Sequence, residues 1–448
     1  MKATPYIHRF VARVEIKAVT PLAVGTGKKD IMTDALVATD CNNLPYIPAT
    51  SLAGILRHEI DEQMANNIFG IQSEKDNHGS HIIFSDAKMI GEDALVVDGL
   101  QQVDFARPYY QPYRYLPIRQ HNSISDRGVT FKNAKFDNQV VIAGTHFCFE
   151  VELQAEHAEA EDAFKEVLQK LSQCSLRIGG GTRKGYGEIE VVKCLCQKYN
   201  LSDMDDLNRY INKSSSLATT FEGEPLHLEK KQMANGWLFY ELNLTPNDFF
   251  IFGSGFGDDN VDDTPLTEQV NGGRGKQTVI PASSIKGALS HRVAYYYNKL
   301  TERYVDDAQN GEPQVGTCNK AVADLFGEDT KGISGNIKRG NVIISDVILD
   351  RQLPSKVFKH VKIDRFTSGA LAGALYDEKV NYGSEFQVKI LVNQKAFEDV
   401  IVKQAFEKAL LDITCGMLPL GGMTNRGHGC FSGTVNCNGE PLTQIEKQ

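Results

Sequence analysis

Residues 44–56, LPYIPATSLAGIL, and residues 278–289, TVIPASSIKGAL, are two copies of one pattern. Each runs a short apolar strand into Ile-Pro, then two small hydroxylic residues, then an amphipathic helix with Gly54 or Gly287 in its first turns. Thr50-Ser51 and Ser283-Ser284 stand where N-caps belong, so each helix start is expected to offer free backbone N–H groups and hydroxyls. Such a start is an anion site, and a phosphate is its natural occupant.

The repeat extends outward from this motif. At one constant offset of 242, Ala163 falls on Ala405, Phe164 on Phe406, Gly179-Gly180 on Gly421-Gly422 and Thr182 on Thr424. Gly185 then meets Gly427, and Gly187 meets Gly429. Self-similarity of this extent is internal duplication. Each copy reads strand, helix, strand, loop, strand, helix, strand. The expected fold is therefore α+β, with two tandem ferredoxin-like, RRM-like domains of the split βαβ kind, each with a large insertion. Expected boundaries are 1–195 for the first domain and 233–448 for the second. Residues 196–232 read as a connector, because periodicity fades there apart from a capped segment near Asp205.

Composition bounds the function. With 41% hydrophobic and 23% charged residues, the chain reads as globular. No apolar run reaches membrane-span length and MKATPYIHRF is not a signal peptide, which points to the cytoplasm. Nine scattered Cys without a CxxC pair suggest reduced thiols, and the HxxH of His78 and His81 lacks companions for zinc. A net charge of −9 argues against an indiscriminate nucleic-acid coat. The acid is concentrated at 156–166, 203–206 and 258–263, however, leaving other stretches locally basic. Neither Gly25-Thr26-Gly27-Lys28 nor Gly273-Arg274-Gly275-Lys276 has the spacing of a P-loop.

Three basic stretches stand out. Residues 105–125 interleave Arg107, Arg114 and Arg119 with Tyr109, Tyr110, Tyr113 and Tyr115, with no carboxylate. Three prolines there forbid a regular helix. Guanidinium groups with rings suit a single-stranded nucleic acid, and the alternative is a structural loop packing its tyrosines on the domain. Residues 177–191 set five glycines beside Arg177, Arg183 and Lys184, a loop through which a backbone could pass closely. Lys356, Lys359, His360, Lys362 and Arg365 face only Asp364.

Taken in order, these motifs resemble the RAMP superfamily of CRISPR-associated proteins, and more narrowly two fused backbone subunits of a type III effector complex, with type III-D as a guess at the subtype. The resemblance rests on a glycine after the first strand, IPx[ST]SxxG, Phe-Gly, SDA or SDV at a strand end, and a terminal GG…GxG, all present twice. An Ile/Asp/Arg element completes the set, with Asp126-Arg127 in one half and Asp364-Arg365 in the other. It implies binding of guide crRNA and complementary target RNA beside other RAMP backbone subunits and the large subunit, with a thumb-like insertion in each half.

By resemblance, guide RNA contacts fall in the first half on Gly25, Lys28, Ser51, Arg57, Arg107, Arg114, Arg119, Arg127, Gly180, Arg183 and Lys184. In the second they fall on Gly253, Ser284, Lys286, Lys359, Lys362, Arg365, Gly422, Asn425 and Arg426. The family's catalytic aspartate lies in the loop before the helix motif. Asp34-Ala-Leu-Val37-Ala-Thr-Asp40 matches its pattern, with Leu for Pro, and Asp263 is the second-half choice, with Asp262 able to substitute. RNA carries its own nucleophile, so cleavage needs in-line positioning and proton management. A divalent cation, Mg²⁺ first, is expected to help. Rival readings are a non-catalytic guide scaffold, a guide-processing ribonuclease using His58, and a metabolic two-domain protein.

Overall fold

The computed structural model describes residues 6–27, 33–72, 77–124, 130–229, 236–273, 275–303, 316–328, 337–349 and 353–442. Lys28 and Arg127 lie outside these residues.

In the first half, β1 (His8–Ala18) is the central strand, mostly buried and paired on both edges. After it come α1 (Ala49–Glu59), α2 (Glu62–Phe69), β2 (Ile82–Phe84), and a hairpin of β3 (Ile118–Ile124) and β4 (Thr130–Gln139). Next are β5 (His146–Ala155), α3 (Ala160–Gln169) and β6 (Ile189–Asn200). The sheet is antiparallel in the order β6-β1-β5-β2. Phe164, Val167 and Leu168 of α3 and Leu52 and Leu56 of α1 pack on its apolar face.

Residues 196–229 continue this domain. Beyond the end of β6, α4 (Met204–Ile211) is capped by Asp203, and Glu224-Pro225 pairs with β6. Val11, Tyr199 and Phe221 share a small core there. These apolar residues are too widely spaced to give a periodic signal, so the stretch reads as a connector in sequence.

The second half repeats the plan. Its elements are β7 (Trp237–Pro246), β8 (Lys276–Ile280), α5 (Ala282–Thr301), α6 (Lys320–Phe326), β9 (Val342–Ile344), the hairpin β10 (Ser355–Ile363) and β11 (Ala370–Tyr382), β12 (Phe386–Asn393), α7 (Val400–Thr414) and β13 (Phe431–Cys437). Its sheet order, β9-β12-β7-β13, matches β2-β5-β1-β6 strand for strand. A separate core of Tyr240, Leu289, Val388, Phe406 and Phe431 fills it. Two antiparallel α+β units, each bearing a long hairpin, are thus joined in one chain.

Candidate nucleic-acid interface

The two motif helices start at Ala49 and Ala282, one residue before Thr50 and Ser283, with Pro48 and Pro281 at the caps and no side-chain cap. The expected hydroxyl capping is therefore absent. An aspartate from the adjoining strand end accepts instead: Asp86 Oδ1 from the Ala49 N–H at 2.9 Å, and Asp346 Oδ1 from the Ala282 N–H at 2.8 Å. These are the aspartates of the SDA and SDV motifs. A carboxylate already sits against each helix start, so a phosphate does not have that position to itself. Ser51 and Ser284 are half-buried in the first turns.

Asp346 also joins the halves. Arg119, on β3, ion-pairs with Asp346 and with Glu268, its Nη2 donating to Glu268 Oε2 at 2.8 Å, and all three are buried. Burial works against the Arg119 charge, but Asp346 and Glu268 outweigh it and hold the guanidinium protonated. Arg119 is therefore committed to the junction, contrary to the expectation that it takes a phosphate. The Gly-rich loop of the first half passes the same point: a Cβ on Gly185, at φ +111°, would overlap Asp346 Oδ1 and stand 2.8 Å from Ala282 Cβ.

Beside this junction three cations from both halves converge. Burial, then Arg183 and Lys184, depress the Lys286 ammonium; burial depresses Lys184. Arg183 is pushed down to about 10 by burial, then by Arg339 and Arg177, despite Glu59. Its Nε donates to Gly340 O at 2.9 Å, while its buried Nη1 has no hydrogen-bond partner among the described residues. A lysine depressed by two neighbouring cations, beside a guanidinium nitrogen without such a partner, describes a seat for an anion.

The loop aspartates can be matched by backbone pairing. Gly25 bridges Val37 as Gly253 bridges Pro265, and Ala35 bridges Asn138 as Asp263 bridges Glu378. Asp34 therefore corresponds to Asp262. Asp34 Oδ2 accepts from the Asp137 N–H at 3.1 Å, and Asp262 Oδ2 from the Asp377 N–H at 2.8 Å. Both are exposed. Asp263 occupies the place of Ala35, half-buried, its carboxyl raised by burial and then by Glu378. Among the described residues no three His, Cys, Asp or Glu side chains are grouped to hold a metal ion. The donor set of the described residues thus does not by itself fit a resident divalent cation.

Each hairpin carries a stacked histidine; sequence reading counted His360 only as one of a basic stretch and did not single out His121. His121 lies on Phe136 with ring centroids 5.0 Å apart and Lys184 Nζ 4.1 Å from the Phe136 centroid. His360 lies on Tyr376 at 5.0 Å with the Arg426 guanidinium 5.1 Å from the Tyr376 centroid. Lys184 and Arg426 stand at the offset of 242, which could have revealed the pair. The hairpins are too dissimilar in sequence for the histidines to align by eye.

The other expected contacts divide. Arg57 donates to Gly70 O at 2.8 Å and to Asn66 Oδ1 at 3.1 Å, tying α1 to α2. Arg107 pairs with Glu92 at 2.5 Å. Residues 111–114 form one helical turn, and Tyr110 and Tyr113 are buried in the core while Tyr109 donates to Ile90 O. Arg114 and Tyr115 face solvent without a carboxylate partner of the kind Arg107 has, with Arg114 over the Tyr115 ring at 5.4 Å. The Gly180 N–H donates to Ala23 O and the Gly422 N–H to Ile251 O, both at 2.7 Å, anchoring the two Gly-rich loops alike. Gly25 and Gly253 open outward, as do Asn425 and Arg426. Lys359, Lys362 and Arg365 are exposed along the second hairpin, whose tip presents Phe366 at 97% exposure. No helix among the described residues is long and apolar enough to cross a membrane.

Compared with known families, the chain matches the model of the RAMP superfamily twice, over residues 15–190 and 251–432. No curated protein matches it.

Proposed function

This chain belongs to the RAMP superfamily, and from that premise we propose that it is a two-unit backbone subunit of a type III CRISPR complex that binds guide crRNA and cuts complementary RNA at two positions. RAMP proteins bind crRNA within CRISPR complexes. The observation that carries the proposal here is the convergence of Arg183, Lys184 and Lys286 beside the junction, with Arg183 Nη1 unsatisfied. Phosphodiester oxygens are anions of the right size and spacing to run past it, and the open Gly-rich loops let a backbone approach.

The cleaving groups in this reading are Asp34 and Asp262, equivalent in their loops and each held by one backbone N–H. A nucleotide turned out of the stack beside either carboxylate brings its 2′-hydroxyl into line with the adjacent phosphorus. The aspartate receives the 2′ proton. Among the described residues neither loop groups three donor side chains, so a divalent ion would take ligands from RNA and water as well.

The test is cleavage of guide-complementary RNA by the reconstituted complex at fixed salt. Asp34→Ala and Asp262→Ala should each abolish a different product while RNA binding persists, and Asp263→Ala should leave both products. If both products survive the Asp34→Ala/Asp262→Ala double variant, the chain is a scaffold and its neighbours cut.

A further inference from the structure

Around Glu378 the second half builds something the first half lacks. Glu378 is 0% exposed, on β11. Its Oε1 accepts from His360 Nε2 at 2.7 Å and from His428 Nε2 at 3.2 Å. Its Oε2 has no hydrogen-bond partner among the described residues, and Arg426 Nη1 stands 3.8 Å away. Asp263 faces the same carboxylate from the preceding loop, and Tyr376 stacks on His360 from the same strand. Lys359 belongs to a different pair, 3.8 Å from Asp377.

The first half has the same positions with different groups. Pairing along the hairpins sets His121 opposite Phe136 and His360 opposite Tyr376, and puts Asn138 where Glu378 stands. Tyr186 replaces His428 and bonds His121 Nε2 through its hydroxyl at 2.8 Å. Burial, with Lys184 and Arg119, pushes His121 down to about 4, so it is a neutral ring at physiological pH. His360 has a carboxylate behind it instead, which fixes Nε2 as the proton-bearing nitrogen toward Glu378 and leaves Nδ1 for exchange. Its side chain is 28% exposed, against 10% for His428, so His360 is the one RNA can reach. Asp262 is anchored on the N–H of Asp377, the residue before Glu378, so both groups hang on one step of β11.

We propose that His360, positioned by Glu378, donates a proton during RNA cleavage at the second half, and that the first half cuts without such a group. This rests on the reading that the chain cleaves RNA. In the step, the 2′-hydroxyl proton passes to the Asp262 carboxylate and the 2′-oxygen attacks the adjacent phosphorus. The bond from phosphorus to the 5′-oxygen breaks, a 2′,3′-cyclic phosphate forms, and the departing 5′-oxygen takes the Nδ1 proton of the His360 imidazolium. Glu378 is a positioning residue; His360 touches the reacting atoms.

The experiment uses the complete complex with its guide and complementary RNA, with products assigned to halves by Asp34→Ala and Asp262→Ala. In wild type the second-half product should form more slowly as pH rises, as expected of a step that needs a donated proton, while the first-half product does not follow it. His360→Ala should slow the second product about 100-fold and flatten its profile, leave the first product and guide content unchanged, and be rescued by free imidazole. Glu378→Gln, isosteric and uncharged, should alter the pH profile of the second product alone. Should both products show one pH profile, and His360→Ala cut as wild type does, this proposal falls while the cleavage reading stands. No product from the wild-type complex would sink both.

Discussion

Arg119 and Asp346 form a buried ion pair across the junction of the two halves, and Asp346 at the same time caps the helix that starts at Ala282. One carboxylate therefore fixes a helix start, a neighbouring domain and, through Gly185, the course of the Gly-rich loop. Removing one partner of such a pair leaves a buried charge uncompensated, which typically costs about 3–5 kcal/mol. Arg119→Ala should therefore lower the unfolding midpoint strongly in thermal or urea melts. It should not reduce phosphate contacts as an RNA-binding arginine would.

Asp86 is the counterpart of Asp346 and makes only the cap, with Lys88 3.8 Å away and 43% of its side chain exposed. Asp86→Ala should cost about 1 kcal/mol, the usual worth of a helix cap. Asp346→Ala should cost several kcal/mol, because Arg119 loses half its compensation. Equal losses in a urea titration would mean that the junction contributes nothing beyond the cap.

Gly185 and Gly427 are equivalent by sequence, and both have positive φ, yet only Gly185 is crowded; a Cβ at Gly427 meets nothing within 4 Å. Gly427→Ala should cost about 1–2 kcal/mol from the left-handed backbone alone. Gly185→Ala has the same backbone cost plus a clash with Asp346, and should separate the halves. Limited proteolysis would report that separation as faster cleavage of Gly185→Ala than of Gly427→Ala into two half-sized fragments.

How much of this was legible beforehand differs by element. The duplication and the α+β plan were readable because glycines and apolar residues, which fix backbone turns and cores, repeat at one offset from Ala163 to Gly429. Helix capping was not, because the carboxylate comes from Asp86 or Asp346, 37 or 64 residues away in the chain. Arg119 read as a phosphate ligand since no acid lies near it in sequence; its partners are 149 and 227 residues off. The match of Asp34 to Asp262 rather than Asp263 emerged only from backbone pairing, because Asp-Asp offers two identical side chains. Tyr110 and Tyr113 illustrate the same limit: an aromatic-basic run looks like a nucleic-acid surface until tertiary packing claims its rings.

Among the described residues Lys286 has no hydrogen bond or ion pair, so it separates RNA binding from folding better than Arg183, which also holds Gly340 O. If Lys286 meets a phosphate, Lys286→Ala should weaken guide binding regardless of guide sequence. The slope of log K against log salt should become shallower by about 0.7, the counterion release of one single-strand contact. Binding titrations at several salt concentrations give that slope directly. An unchanged slope would place the guide elsewhere.

His121 predicts a pH dependence of stability whose sign follows from its environment. Burial, Lys184 and Arg119 take its folded-state value down to about 4, below the ordinary 6.5. The unfolded chain therefore binds the extra proton first, and the neutral ring's contribution is fully present above the ordinary value and is lost as pH falls toward 4. Each pH unit in that window is worth at most about 1.4 kcal/mol, and solvent screening of the partly exposed ring reduces it. His121→Gln cannot take up that proton, so its stability should fall less steeply between pH ~6.5 and ~4 than that of wild type in matched urea titrations. Parallel slopes for the two proteins would show that His121 is as easily protonated in the folded chain as in the unfolded one. The contrast drawn between His121 and His360 would then lose its basis.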